Sequence, residues 1–117
     1  MTVKIDGREL NVTHLEELVE PLAMEWMGWE NGGCARKRQV YGRRRSWTLT
    51  CFERDVDWVE SAAKYLQERL GDGAAVSFIV DEESLHQVNT TAYVAEITVE
   101  YEAGQNIRYF KVRLVEA

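Results

Sequence analysis

The amino-acid sequence predicts an α+β fold: a mostly antiparallel β-sheet or small β-sandwich, flanked by one main α-helix at about residues 57–70. Three patterns predict this class, namely a β-hairpin pattern at the N-terminus, a second at the C-terminus, and one helical apolar stripe between them. The chain has 117 residues, the size of one domain, so residues 1–117 are expected to share a single core.

The N-terminal hairpin is predicted by "TVKIDGRELNV", in which two short runs flank Asp6-Gly7, a favoured pair for a type I′ turn. The next segment, "THLEELVEPLAMEWMGW", supports two interpretations. Thr13 and Glu16 resemble a capping box, and the leucines that follow have helical spacing. Pro21 would interrupt such a helix, so residues 14–27 form either a short helix or an irregular or edge strand.

A strand is predicted from Gln39 to Phe52, with Trp47, Leu49 and Cys51 on one face. The stretch "GWENGGCA" before it reads as a Gly-rich loop. Arg43 and Arg45 have the same parity as Trp47, so the basic residues are expected where the strand leaves the core, or beyond a bulge near Gly42. We therefore expect a basic loop or hairpin at about residues 31–45 to project from the domain.

The helix is predicted by "DVDWVESAAKYLQERLG", with an acidic start at Asp57, Asp55 as another candidate cap, and Gly71 as the residue that ends it. Its expected apolar stripe consists of Trp58, Val59, Ala62, Tyr65, Leu66 and Leu70. A short buried strand, "AAVSFIV", and a polar connection, "DEESLHQVNT", follow.

The C-terminal hairpin is predicted from two alternating runs. Parity requires an even number of loop residues, and a two-residue loop at Gly104-Gln105 places Val99 beside Phe110 and Glu96 beside Arg113. The first run has Ala95, Ile97, Val99 and Tyr101 on one face, and the return run has Phe110, Val112 and Leu114.

The sequence does not suggest an enzyme. It contains no phosphate-binding glycine motif and no spacing that pairs a nucleophile with a base, and His14 and His86 lie in polar surroundings typical of surface histidines. Cys34 and Cys51 lack zinc-ligand spacing. We therefore expect no catalytic residue, no metal and no cofactor.

Both cysteines are expected to be reduced, Cys51 as a small core residue and Cys34 in the Gly-rich loop. No run of apolar residues is long enough to span a membrane, and the first ten residues lack the apolar core of a signal peptide. The expected location is the cytoplasm, or the virion if the protein is viral, with no membrane partner.

Charge is strongly segregated along the chain. The formal net charge is −6, yet six of the fourteen basic residues lie between Arg36 and Arg45. Residues 1–30 contain seven acidic and two basic residues. Opposite charge on different patches favours a heterologous, head-to-tail contact, which closes into rings or extends into tubes.

We interpret the protein as a non-enzymatic structural or assembly subunit that self-associates, or docks on an acidic partner protein, within a larger oligomeric assembly. Arginine suits such contacts because its planar guanidinium binds carboxylates through two hydrogen bonds, and exposed tryptophans supply an apolar anchor. The expected interface residues are Trp26, Trp29, Arg36, Lys37, Arg38, Tyr41, Arg43, Arg44 and Arg45.

Two alternatives remain for the basic stretch. Arginines next to Tyr41 and Trp47 would suit a small nucleic-acid-binding or regulatory module, because phosphate contacts and base stacking would be combined. Nucleic acid is the less favoured partner, since twenty acidic against fourteen basic residues make the whole protein acidic. The stretch also fits a solubilising edge strand, because Lys and Arg commonly protect exposed edges.

Three stretches together resemble the small β-rich structural proteins of tailed viruses and related injection machines, such as tail-tube and distal-tail proteins. They are "TVKIDGREL", "YGRRRSWTLT" entering "DVDWVESAAKYLQERL", and "VAEITVEYEAGQNIRYFKVRLVEA". The resemblance implies an antiparallel sandwich flanked by a helix, subunits in a ring, and a projection that bridges neighbours, here Cys34–Arg45. Tube proteins are often larger, so an adaptor or tail-completion role is equally open, and no functional residue carries over by motif.

Overall fold

The computed structural model describes residues 2–30, 33–82 and 85–117. In this part of the chain the strands are β1 (Thr2–Ile5), β2 (Arg8–Leu10), β3 (Val12–Glu30), β4 (Gly33–Arg54), β5 (Val76–Asp81), β6 (Gln87–Glu102) and β7 (Ile107–Glu116). The α-helix is α1 (Ala62–Asp72), and two short 3₁₀ turns lie at Trp58–Glu60 and Ala103–Gln105. The expected combination of a mostly β fold with one helix is confirmed.

The described strands form one antiparallel sheet in the order β2-β1-β5-β6-β7-β4-β3, not the two packed sheets of a sandwich. Its two edge strands, β2 and β3, are separated in the chain by Asn11 alone. The backbone carbonyl of Asn11 accepts a hydrogen bond from the Phe52 amide of β4 at 3.1 Å. The sheet is therefore strongly curled, because a single residue holds its two edges close together.

The core lies inside this curl. Trp47 is fully buried, and its ring packs against Phe78 with the centroids 5.0 Å apart. The helix α1 contributes Ala62, Ala63 and Leu66 to the core. The sheet contributes Val3, Ile5, Leu10, Trp47, Leu49, Cys51, Val76, Phe78, Val80, Val88, Ala92, Val94, Phe110, Val112 and Leu114.

The helix begins and ends later than predicted. Ser61 is its N-cap, since its hydroxyl accepts a hydrogen bond from the Lys64 amide at 3.1 Å. Gly73, with φ of +70°, is the C-cap, so the predicted stop at Gly71 is wrong. The residues around Asp57 belong to the preceding 3₁₀ turn.

Part of the predicted apolar stripe is also wrong. Trp58 and Val59 precede the helix and do not share its buried face, and Val59 is 77% exposed. Leu70 is likewise exposed, whereas Ala62 and Leu66 are buried as expected. The buried face of α1 is therefore short and centred on its first two turns.

A buried ion pair fixes the start of α1. The Glu53 carboxylate on β4 accepts hydrogen bonds from the Ala62 amide at 2.6 Å and from Arg108 Nη1 on β7 at 3.0 Å. The Arg108 guanidinium also lies 5.1 Å over the Trp58 ring and donates to the Val56 carbonyl at 3.3 Å. This cluster joins the ends of two strands to the helix and to the 3₁₀ turn before it.

The N-terminal hairpin has the predicted turn. Asp6 and Gly7 both have positive φ, +50° and +79°, as a type I′ turn requires. The Asp6 carboxylate accepts hydrogen bonds from the Ser77 amide of β5 at 2.7 Å and from the Tyr65 hydroxyl of α1. The bond to Asp6 raises the pKa of Tyr65. One turn residue thus connects β1, β5 and α1.

The C-terminal hairpin has the predicted register and a different loop. Val99 pairs with Phe110 and Glu96 with Arg113, as parity required. The last pair before the loop is Glu102 with Ile107. The loop therefore contains the four residues 103–106, and the predicted two-residue turn is wrong. Asn106 adopts φ of +54° and closes the loop.

A bulge at Ala95 corrects one further expectation on β6. Val94 pairs with Leu114, and the next pair is Glu96 with Arg113. Ala95 therefore has no partner on β7, and it is exposed. Because of this extra residue the core-facing positions change from even to odd along β6. Val94 therefore faces the core, and Ala95 does not lie on the face of Ile97 as predicted.

The segment around Pro21 is an edge strand, which excludes the short-helix alternative. An edge strand tolerates proline because part of its backbone amides has no partner strand. The expected Gly-rich loop is wrong over most of its length, since Gly28–Glu30 pair with Gly33–Ala35. Asn31 and Gly32, at its centre, lie outside the described residues.

Cys51 is a free, buried thiol, as expected of a core residue. Burial, together with the nearby Glu53 carboxylate, raises its pKa to about 12. The side chain of Cys34 lies outside the described residues.

Native Cys51 is therefore expected to resist thiol reagents. In a Cys34→Ala variant at pH 8, a pKa near 12 leaves a thiolate fraction on the order of one in ten thousand, and packing denies access. Mass spectrometry after iodoacetamide treatment should show no modification until denaturant is added. Rapid modification of the folded variant would contradict the burial of Cys51.

Removal of Glu53 is expected to destabilise the fold markedly. A Glu53→Ala variant leaves Arg108 buried without its partner and the Ala62 amide without its acceptor, a loss of about 3–5 kcal/mol in the free energy of unfolding. Urea denaturation followed by circular dichroism measures it, with Glu100→Ala as an exposed control expected within about 0.5 kcal/mol of the native protein. Equal effects of the two substitutions would contradict this role of Glu53.

Candidate functional site

The most prominent feature of the surface is a long two-stranded ribbon. β4 pairs with β7 only from Ser46 to Arg54, whereas its pairing with β3 continues to Gly33. We name residues 19–30 and 33–45 the arm. The molecule measures 69 × 31 × 25 Å, and its radius of gyration is 18.9 Å, against about 13 Å for a compact chain of this length. The arm therefore extends well beyond the curled sheet, which we name the body.

The arm is anchored at its base by polar contacts around Trp47. The indole Nε1 donates a hydrogen bond to Glu17 Oε1 on β3 at 2.6 Å. The Arg45 guanidinium lies 5.2 Å over the Trp47 ring, and its Nε donates to Glu116 Oε2 on β7 at 2.7 Å. Arg45, an expected interface residue, therefore binds the body and joins β4 to the end of β7.

One face of the β3 half of the arm is apolar and exposed. A strand places every second residue on the same face, and the exposed apolar residues with this spacing are Leu22, Met24 and Trp26, in line with Leu18 just before the arm. Trp26, the expected apolar anchor, is 43% exposed. Exposed apolar side chains this closely grouped are typical of an interaction surface.

A β-bulge interrupts the arm near the predicted position. Leu22 lies opposite Gly42 and Ala23 opposite Val40, so Tyr41 has no partner in the register. Such a bulge bends the strand and increases its twist. On β4 the even-numbered residues therefore change from one face of the arm to the other at the bulge, whereas the alternation along β3 is uninterrupted.

The basic residues of the arm have different surroundings. Arg43 and Arg44 are exposed, and within the described residues neither makes an ion pair. Arg38 Nε lies 3.8 Å from Glu25 Oε1, an exposed contact. The side chains of Trp29, Arg36, Lys37 and Tyr41 lie outside the described residues. The structure thus offers Arg43 and Arg44 as cations available for an intermolecular contact.

Sequence reasoning missed several exposed apolar residues of the arm as interface candidates, namely Val19, Leu22, Met24 and Val40. In "LVEPLAMEW" apolar residues occur at alternate positions, which is the pattern of one face of a strand. Helical spacing of Leu15, Leu18, Val19 and Leu22 competed with it. Only the pairing of β3 with β4 decides between the two.

A second feature is a polar groove beside the base of the arm. His86 Nε2 lies 3.7 Å from Glu17 Oε1, and His14 and Glu82 also line the groove. Glu17 is held by the Trp47 indole at the same time. Among the residues described, no group of three or more His, Cys, Asp or Glu side chains is placed to hold a metal ion. No helix in the described part of the chain is long and apolar enough to cross a membrane.

Comparison with known proteins gives a likeness of fold. No protein-family model matches the chain, and no curated protein sequence matches it. A chain from the virion of a native gene transfer agent particle shares the fold at a TM-score of 0.64 and 15% identity, over 99% of this chain and 89% of that one. A chain from the tail of an empty particle of the same kind, solved with C6 symmetry, has a TM-score of 0.57 and 13% identity, over 92% and 78%. The resemblance to β-rich structural proteins of tailed viruses is thus confirmed in the fold, which nearly the whole chain shares with these particle components.

Proposed function

We propose that the protein is a non-enzymatic structural subunit of an assembled, tailed-virus-like particle, and that it joins other subunits through its arm. The observation that carries the proposal is the fold shared over 99% of this chain with a chain of a gene transfer agent virion. The second structure supports a place in a tail, since it comes from a tail with C6 symmetry. The protein would then be located in the particle.

The arm supports a role in assembly on physical grounds. A two-stranded ribbon is at best marginally stable alone in water, because it has no layer to cover its apolar face. The arm is about 35–40 Å long at about 3.3 Å per residue, and among the described strands no third one pairs with it. A neighbouring subunit that covers Leu22, Met24 and Trp26 would remove this apolar surface from water and stabilise the ribbon.

The position of the arm favours a directional contact. It projects from one end of an elongated molecule, so a neighbour would receive it on a different surface. Contacts between two different surfaces are heterologous, and they generate closed rings or open tubes. Exposed Arg43 and Arg44 support an acidic receiving surface, which suits a protein that is acidic outside its arm.

The protein is expected to form oligomers larger than a dimer. Light scattering after size-exclusion chromatography, on protein freed of nucleic acid, should show a multi-subunit species at low salt that partly dissociates at high salt, because charge contributes to the contact. A monomer at every concentration and salt tested would contradict self-association.

Removal of the arm is expected to abolish assembly without unfolding the body. Residues 20–44 are replaced by Asn-Gly, which joins Val19 to Arg45 by a hairpin turn, since these two residues pair across β3 and β4. Circular dichroism and urea denaturation should show a folded body, because none of the core residues that the structure describes lies in the arm. Light scattering should show a monomer, and an oligomer of the native size would contradict the role of the arm.

A further inference from the structure

A second unexplained surface lies at the other end of β4. The seven consecutive residues Arg54–Glu60, which we name the acceptor segment, are all exposed. They include Val56, Trp58 and Val59, large apolar side chains outside the core. The segment leaves β4 at Asp55, whose φ of +54° turns the chain out of the sheet. The side chain of Asp57 makes no capping hydrogen bond to the 3₁₀ turn, so it is not needed for that turn.

Two open cavities flank the acceptor segment and share Val56. One, of about 300 Å³, is lined by Asp55, Asp57, Tyr101 and Asn106. The other, of about 240 Å³, is lined by Glu9, Leu10, Glu60 and Phe110. Both contain apolar and acidic groups and one arginine each, Arg108 in the first and Arg8 in the second. Because both arginines are already bound within the molecule, the surface suits an occupant with apolar and basic side chains.

The charges around the acceptor segment are mainly negative. The four carboxylates are those of Glu9, Asp55, Asp57 and Glu60, and the two exposed guanidiniums are those of Arg8 and Arg54. Arg8 already donates to the Glu60 carbonyl at 2.9 Å and lies over the Tyr65 ring. The carboxylates of Asp57 and Glu60 are therefore available to a cation from outside.

The arm has the complementary composition. Residues 19–45 contain six basic and three acidic residues, so the rest of the chain contains eight basic and seventeen acidic ones. Arg43 and Arg44 are both exposed where β4 is not paired with β7. Arg44, opposite Glu20, lies on the face of Leu22, and Arg43, opposite Pro21, lies on the other face. Both surfaces thus combine exposed apolar groups with charge, and the charges are opposite.

The two surfaces cannot meet within one molecule. Ten strand residues lie between Arg44 and Asp55, which places the two about 35 Å apart along β4. A second copy of the chain can bring them together. We infer that the arm of one copy docks on the acceptor segment of the next, with Arg43 and Arg44 facing Asp57 and Glu60. This rests on the proposed function and specifies its contact.

The contact is directional and repeats. Each copy has one arm and one acceptor segment, so each joins two neighbours through one kind of interface. The angle between successive copies decides whether the series closes into a ring. The apolar groups would supply most of the affinity, and the charges would set the orientation and exclude other surfaces.

A charge exchange tests the contact. Arg43→Glu/Arg44→Glu on the arm, and separately Asp57→Arg/Glu60→Arg on the acceptor segment, should each raise the dissociation constant for self-association about a hundredfold or more, since like charges would then face each other. The variant with all four substitutions should recover affinity to within about tenfold of the native protein. Sedimentation velocity over a range of concentrations measures all four proteins, and circular dichroism checks that each is folded.

The matched control is Glu68→Arg/Glu100→Arg, the same charge change at two exposed carboxylates outside the segment, which should assemble like the native protein. If the native protein assembles and the acceptor variant assembles equally well, the inference is wrong and the proposed function stands. If both double variants are monomeric and the fourfold variant does not recover self-association, the proposed pairing of Arg43 and Arg44 with Asp57 and Glu60 is also wrong. A native protein that is monomeric throughout contradicts both the inference and the proposed function.

Discussion

The structure depends on the continuity of β4 through the body and into the arm. Its residues from Ser46 to Cys51 are paired on both sides, with β3 and with β7, and they include the buried Trp47. The Trp47 indole contributes apolar burial against Phe78 and a hydrogen bond to Glu17, so the strand is held at the point where the arm begins. Without this anchor the arm would be an isolated hairpin, which is marginally stable in water.

The same strand also orients the opposite end of the molecule. Glu53 is the last buried residue of β4, and its bonds to Arg108 and the Ala62 amide hold the start of α1 against the sheet. The acceptor segment connects Glu53 to Ala62 along the chain, and all of its residues are exposed. Because the arm and the acceptor segment are joined by one strand, their relative direction is determined by the twist of β4 and the bulge opposite Leu22.

The parts of the fold that parity and turn chemistry determine could be predicted from the sequence. The Asp6-Gly7 turn and the pairing of Val99 with Phe110 follow from local rules. The predicted helix start at Asp57 or Asp55 was wrong, because the start at Ser61 depends on a tertiary contact, the hydrogen bond from the Ala62 amide to Glu53 on β4. The segment after Thr13 fitted helical and strand spacing equally, and its partner strand decided the outcome. For the candidate site, charge segregation predicted an interface at residues 36–45. The apolar face with Leu22 and Met24 could not be predicted, because it depends on β3 being an edge strand.

The composition of that edge bears on how copies associate. A long exposed edge strand is a template for uncontrolled pairing with other chains, and β3 has a free edge over nineteen residues. Pro21 removes one backbone donor from it, and the exposed carboxylates of Glu16 and Glu20 precede it on the strand. Two copies that approached edge to edge would bring these carboxylates together, which repels them. Association through the faces of the arm avoids this repulsion, so the same residues that protect the edge leave the faces as the surfaces through which a second copy can bind.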